Sequence, residues 1–163
     1  MSNARDFARI AQNIDSSGRS ANTNQPSFNI ISYNASASSG ASVIGENGNN
    51  NQTVSVISNT GSHFSTSTGE FTIPVSGIYF FGGYADQSTY STGPAIQLKR
   101  TDTGGTVHDL SFQSYIYSTS YNATGVSGLY NFTANEKVRL FYHHYNGVTS
   151  TCYRAGFSGF LIG

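Results

Sequence analysis

The chain has 163 residues, no net formal charge and only 10% Asp, Glu, Lys and Arg, against roughly a quarter in an average globular protein. No Lys or Arg lies between Arg19 and Lys99, so no basic stripe is available to a nucleic-acid backbone. Cys152 is the only cysteine, which excludes an intrachain disulfide and a thiolate zinc cluster.

The expectation is one domain with a short appendage, long enough to bury a core. No run approaches transmembrane length, and the opening Met1-Ser2-Asn3-Ala4-Arg5-Asp6 has no apolar signal character, so synthesis in a cytoplasm is expected. Neither nucleic acid nor membrane is an expected partner.

Residues 3–14 predict an amphipathic helix: Phe7, Ile10, Ala11 and Ile14 recur at helical spacing, while Arg5, Asp6, Arg9, Gln12 and Asn13 fill the other face. Asn3 can cap its start, and Asp15-Ser16-Ser17-Gly18 stops it. About three turns of helix are marginal alone in water, so it needs a surface to lie on. The segment therefore lies on its own β domain, docks on another chain, or stays disordered. The polar, flexible segment that follows favours another chain. The organisation expected is therefore an arm at 1–18, a linker at 19–26 and a β domain at 27–163.

Phe28, Ile30 and Ile31 open the β domain, and the Ser, Ala and Gly residues up to Gly45 read as a loop. Glu46 to Asn51 is a turn-rich tip, followed by a strand at Val54, Val56 and Ile57. Asn49 and Asn50 could contact a sugar; Asn also simply suits the positive φ of turns. Phe71 and Ile73 then share one strand face, and Pro74-Val75-Ser76-Gly77 forms a hard turn. The next strand, Ile78-Tyr79-Phe80-Phe81, is apolar on both sides and should be covered on both.

A polar loop from Asp86 to Pro94 contains Tyr90. A strand from Ala95 to Arg100 points Ile96 and Leu98 inward, and Asp102 to Gly105 makes a hairpin turn. Leu110, Phe112, Ser114 and Ile116 alternate with a second face bearing Tyr115 and Tyr117, which with Tyr121 form either a contact surface or a subunit contact. Val126–Phe132 and Lys137–Tyr145 are expected to pair around Ala134-Asn135-Glu136. His143 and His144 fall on opposite strand faces and cannot chelate one metal together. Cys152 reads as a small buried side chain on a last strand enclosed within a sheet. No pairing of carboxylates, nucleophile set, phosphate-cradling loop or metal-ligand spacing appears, so neither catalysis nor a cofactor is expected.

Phe71-Thr72-Ile73-Pro74-Val75-Ser76-Gly77-Ile78-Tyr79-Phe80-Phe81 resembles the core signature of the complement-1q and tumour-necrosis-factor group of jelly rolls. The stretches Val126–Leu140 and Phe157–Leu161 agree in order. The resemblance implies an all-β, antiparallel jelly-roll sandwich preceded by the helical arm, and a homotrimer closed by heterologous contacts. Phe71, Ile78, Tyr79, Phe80, Phe81, Phe157, Phe160 and Ile162 would form core and trimer interface. Some members of the group bind calcium near the trimer axis, for which Asp86, Asp102 and Asp109 are distant candidates here.

With the uncharged surface and the arm, the chain looks like a bacteriophage virion protein. The expected role is a capsid decoration or cement protein on the outer surface of the particle, anchored to the major capsid protein or another virion protein through Arg5, Phe7, Arg9, Ile10 and Ile14. The alternative is a receptor-binding head of a fibre, recognising a host surface glycan through Asn49, Asn50, Tyr90, Tyr115 or Tyr121.

Overall fold

The computed structural model describes residues 25–37, 40–87, 94–114, 122–144 and 150–162. The arm with Phe7, Ile10 and Ile14, most of the linker, and Tyr90, Tyr115, Tyr117 and Tyr121 lie outside the described residues.

Two antiparallel sheets face each other. One has the order β3 (Thr53–Thr60), β1 (Ser27–Ala37), β11 (Ser150–Leu161), β6 (Gly77–Gln87) and β9 (Asn122–Phe132). The other runs β4 (Phe64–Ser65), β5 (Glu70–Thr72), β10 (Lys137–His144), β7 (Pro94–Thr101) and β8 (Val107–Ser114), with β2 (Gly40–Ile44) also pairing β10. This is the antiparallel jelly-roll sandwich expected. The C-terminal strand β11 is enclosed between β1 and β6.

The segment read as a loop after Ile31 is instead strand. Asn34 takes φ 60°, which shifts the alternation by one residue, so that Ser32, Ala35 and Ala37 all turn inward. Small Ser and Ala side chains carry little apolar signal, yet all three are buried here.

The expected hairpin of residues 126–132 with 137–145 does not form. β9 pairs β6, whereas β10 pairs β7, β5 and β2, so the turn between β9 and β10 crosses from one sheet to the other. Phe132 and Val138 both point inward from opposite sheets. The crossing is fixed by backbone exchange with the Pro74 turn: the Asn135 amide donates to the Ile73 carbonyl at 2.7 Å, and the Ile73 amide to the Glu136 carbonyl at 2.8 Å. The Tyr79 hydroxyl donates back to the Val75 carbonyl at 2.9 Å, pinning the same turn from within the core.

The core is built on aromatic rings. Phe28 stacks on Phe64 and Phe71, at 4.8 and 4.7 Å between ring centroids, and meets Phe157 edge-on at 4.7 Å. Phe81, Tyr79 and Phe132 extend the cluster. Gly159 makes room for it: a Cβ there would lie 2.5 Å from the Phe81 ring and 2.9 Å from that of Phe28. Replacing Phe28 by Ala should leave a cavity touching both sheets and cost about 3–5 kcal/mol. Urea unfolding followed by circular dichroism measures this; a loss below ~1 kcal/mol would show that the cluster does not carry the sandwich.

Candidate functional site

The same period-two alternation that fills the core decides what the five-stranded sheet presents outward. Of the eight residues assigned to core and interface from the sequence, Phe71, Tyr79, Phe81 and Phe157 are buried inside. Ile78, Phe160 and Ile162 point outward at 47%, 44% and 49% exposure, and Phe80 is half-buried. The doubly apolar strand is thus covered on its inner face and open on its outer one.

Strand register arranges the outer face in rows. Phe160 lies opposite Phe80, and Phe80 opposite Leu129, the two rings 5.3 Å apart. The next row holds Asn29, Ser158, Gly82 and Ser127, and the one after it Ile31, Gly156, Tyr84 and Gly125. Because the middle row is small and polar while Phe80 and Tyr84 rise on either side, a hollow of about 450 Å³ opens there. No charged side chain lines it. The Tyr84 ring lies over Gly156, where a Cβ would sit 2.2 Å from it. Beyond Tyr84, Arg154 and Asp86 pair at 3.6 Å. Leu129 and Tyr84, both outward-facing, were not singled out from the sequence; their signal is the alternation along β9 and β6 once the partners are known.

The described charges are used internally. Each Lys and Arg among the described residues has an acid partner: Lys99 with Asp109, Arg100 with Glu136, Lys137 and Arg139 with Glu70, and Arg154 with Asp86. Burial alone would raise the Glu70 carboxyl, but the Arg139 hydrogen bond and charge, with help from Thr68 and Lys137, hold it below its ordinary value. Asp102 accepts from the Gly104 and Thr106 amides and pairs with His108 at 2.9 Å. The three aspartates raised for calcium are therefore each engaged separately. Among the described residues no group of three or more His, Cys, Asp or Glu is gathered as a metal site would require. Burial and the nearby Lys99 charge lower the pKa of His143, which keeps its imidazole neutral near pH 7.

The Asn-rich tip is tied to its own strands. The Asn49 side-chain amide donates to Glu46 at 2.6 Å, that of Asn50 to the Ser42 hydroxyl at 3.1 Å, and the Asn47 side-chain Oδ1 accepts from the Val54 backbone amide. Asn50 and Asn51 have positive φ. Beneath them Gln52 is buried, and its amide is saturated: the oxygen accepts from Ser32 and the Gly45 backbone, and the nitrogen donates to Ser42 and the Val43 carbonyl. Gln52 fixes how the tip stands on the sheet, and no sequence pattern pointed to it.

Cys152 is fully buried, and its thiol donates to the Arg154 carbonyl at 3.2 Å. Burial, with the Asp86 charge nearby, pushes its pKa up to about 12. At any lower pH the thiolate is scarce, so the native protein should resist a thiol reagent at about pH 8 and react only on unfolding. Rapid labelling of folded protein would contradict this.

Two antiparallel sheets in this order, packed on an aromatic core, define a jelly roll of the C1q and TNF type. The family model for the C1q domain matches residues 35–162, and the chain belongs to that family. The globular domain of zebrafish complement 1qA superposes with a TM-score of 0.64 at 22% identity, over 85% of this chain and 98% of that one. Eiger TNF from S. frugiperda gives 0.59 at 12% identity, over 85% and 94%. Murine APRIL gives 0.56 at 11%, over 81% and 98%. These structural likenesses establish the fold. A search of curated protein sequences returns no match.

Proposed function

We propose that the chain is a non-enzymatic homotrimeric head whose subunits meet through the outer face of the five-stranded sheet. The observation that carries this is the clustering of Ile78, Phe80, Leu129, Phe160 and Ile162 into one apolar strip on the outer face of that sheet. A contiguous apolar patch of this kind marks an interaction site. Packing the face of one copy against the edge of the next is a heterologous contact, and three such contacts close a ring. Family membership supports the same arrangement. Replacing Phe160 by Asp should leave the circular dichroism spectrum unchanged and convert a trimer into a monomer by light scattering. A wild-type monomer would refute the reading.

Within that frame, the role we favour is structural: decoration of a phage capsid, on the outside of the particle, with residues 1–18 as the anchor. It is supported by the amphipathic spacing of Phe7, Ile10 and Ile14, flanked by Arg5 and Arg9. Burying those three side chains is worth roughly 1.5–3 kcal/mol each before ordering costs, and three arms on one trimer would add avidity. Deleting residues 1–18 should give a folded trimer that no longer binds capsids. Undiminished capsid binding would refute the arm as the anchor; a full chain that binds no capsid but binds on a glycan array would instead favour a receptor- or glycan-binding head, with Asn49 and Asn50 at its tip.

A further inference from the structure

Two neighbouring strands each carry one residue more than strict alternation allows, at the same level. On β1, Tyr33 and Asn34 both face outward between the buried Ser32 and Ala35; on β11, Tyr153 and Arg154 do so between the buried Cys152 and Ala155. Asn34 reaches this with φ 60°, a left-handed conformation that Asn tolerates better than most residues. The register of β11 on β6 shifts at the same point, between Cys152 and Arg154. Bulges gather at sheet edges and beside functional sites, where they re-aim side chains. Here the edge is not the reason, because β1 and β11 both lie inside the five-stranded sheet.

The effect is to bring exposed side chains together, with Tyr33 opposite Arg154 and Arg154 opposite Asp86. Tyr33 is 37% and Tyr153 59% exposed. Arg154 is fixed from two sides: its guanidinium lies over the Tyr84 ring, 6.0 Å from the centroid, and its Nε stands 3.6 Å from Asp86. The Arg154 backbone amide donates to the same carboxylate at 2.5 Å. A held donor fork thus stands beside a held acceptor, without net charge and flanked by phenol rings.

We propose that this cluster binds a neutral pyranose sugar. Adjacent hydroxyls of such a ring donate to Asp86 and accept from Arg154, while its C–H face lies on the Tyr153 ring. An acidic sugar is disfavoured, since its carboxylate would meet Asp86. On the far side of Tyr84 the hollow continues the surface with Asn29, Ser127 and Ser158, again polar without charge. A few side chains are too small a patch for a protein interface, which takes about 20–30 residues a side, but they match the hydroxyls of one sugar. Phe160 lies six residues further along β11, roughly 20 Å at the rise of a strand, so the site stands at the other end of the face from the apolar strip. The proposal rests on the glycan-binding reading above and moves its site from the Asn49 and Asn50 tip to the sheet.

The test is saturation-transfer NMR of the full chain with the methyl glycosides of glucose, galactose and mannose and with glucuronate, followed by a glycan array. At least one neutral glycoside should bind, and more tightly than glucuronate. Tyr153→Ala should weaken it about three- to tenfold, the scale of one lost ring contact. Asp86→Asn should weaken it as well, and both variants should keep the wild-type circular dichroism spectrum. Because Asp86 also holds the β11 backbone, Tyr33→Ala serves as the second variant if Asp86→Asn fails to fold, with the same loss expected. Tighter binding of glucuronate overturns the neutral-sugar assignment. Binding that survives these changes overturns the site; its loss in Asn50→Ala then leaves a glycan-binding head that works through its tip. A wild-type chain that binds no sugar in either assay overturns both.

Discussion

Everything in this domain depends on the aromatic cluster that holds the two sheets together, and within it on Phe28, whose ring touches Phe64, Phe71 and Phe157 from both sheets. Two sheets packed face to face stand about 10 Å apart, a gap that large planar rings fill well. Aromatic pairs with offset or edge-on geometry add roughly 0.5–1.5 kcal/mol each beyond simple burial. The backbone accommodates this: Gly159 lies under two rings. The turn after Ile73 is drawn into the same assembly by the Tyr79 hydroxyl.

That constraint propagates outward through alternation. Once Tyr79 and Phe81 are committed to the core, Ile78 and Phe80 must face the other way; once Phe157 points in, Phe160 points out, because Gly159 and Leu161 hold the intervening inner positions. Core packing and the apolar outer strip are thus two consequences of one register. A slip of one residue would exchange them. The outer apolar face therefore inherits its order from the core, as a site on rigid strands should.

The fold was largely legible in the sequence, since the Phe71–Phe81 motif couples strand, turn and strand through residue types that few other arrangements use. The strand after Ile31 was not, because Ser32, Ala35 and Ala37 carry no apolar periodicity and Asn34 changes the parity midway. The pairing of β9 and β10 was misread because nearness in sequence normally predicts pairing, and here the turn changes sheets. The exposed apolar face was half legible. Its aromatic residues stood out, but which of them faced outward depended on pairing partners far away in the chain. Gln52 was invisible for the same reason: its amide serves groups on β1, on β2 and in the turn that follows β2.

The distribution of charge bears on how such a head would associate. Five described cations are matched by acids within the same domain, and several of these pairs lie together on the outer face of the second sheet. Glu70 opposes Arg139 across β5 and β10, and Lys99 opposes Asp109 across β7 and β8. With little field left over, long-range steering contributes little to encounter, and salt should change association only weakly. In the proposed trimer the work of holding copies together would fall to apolar contact and shape on the opposite sheet. A Phe80 wall, a Ser and Gly floor and a Tyr84 wall give that face its relief, so shape as well as apolar area is available to a partner there.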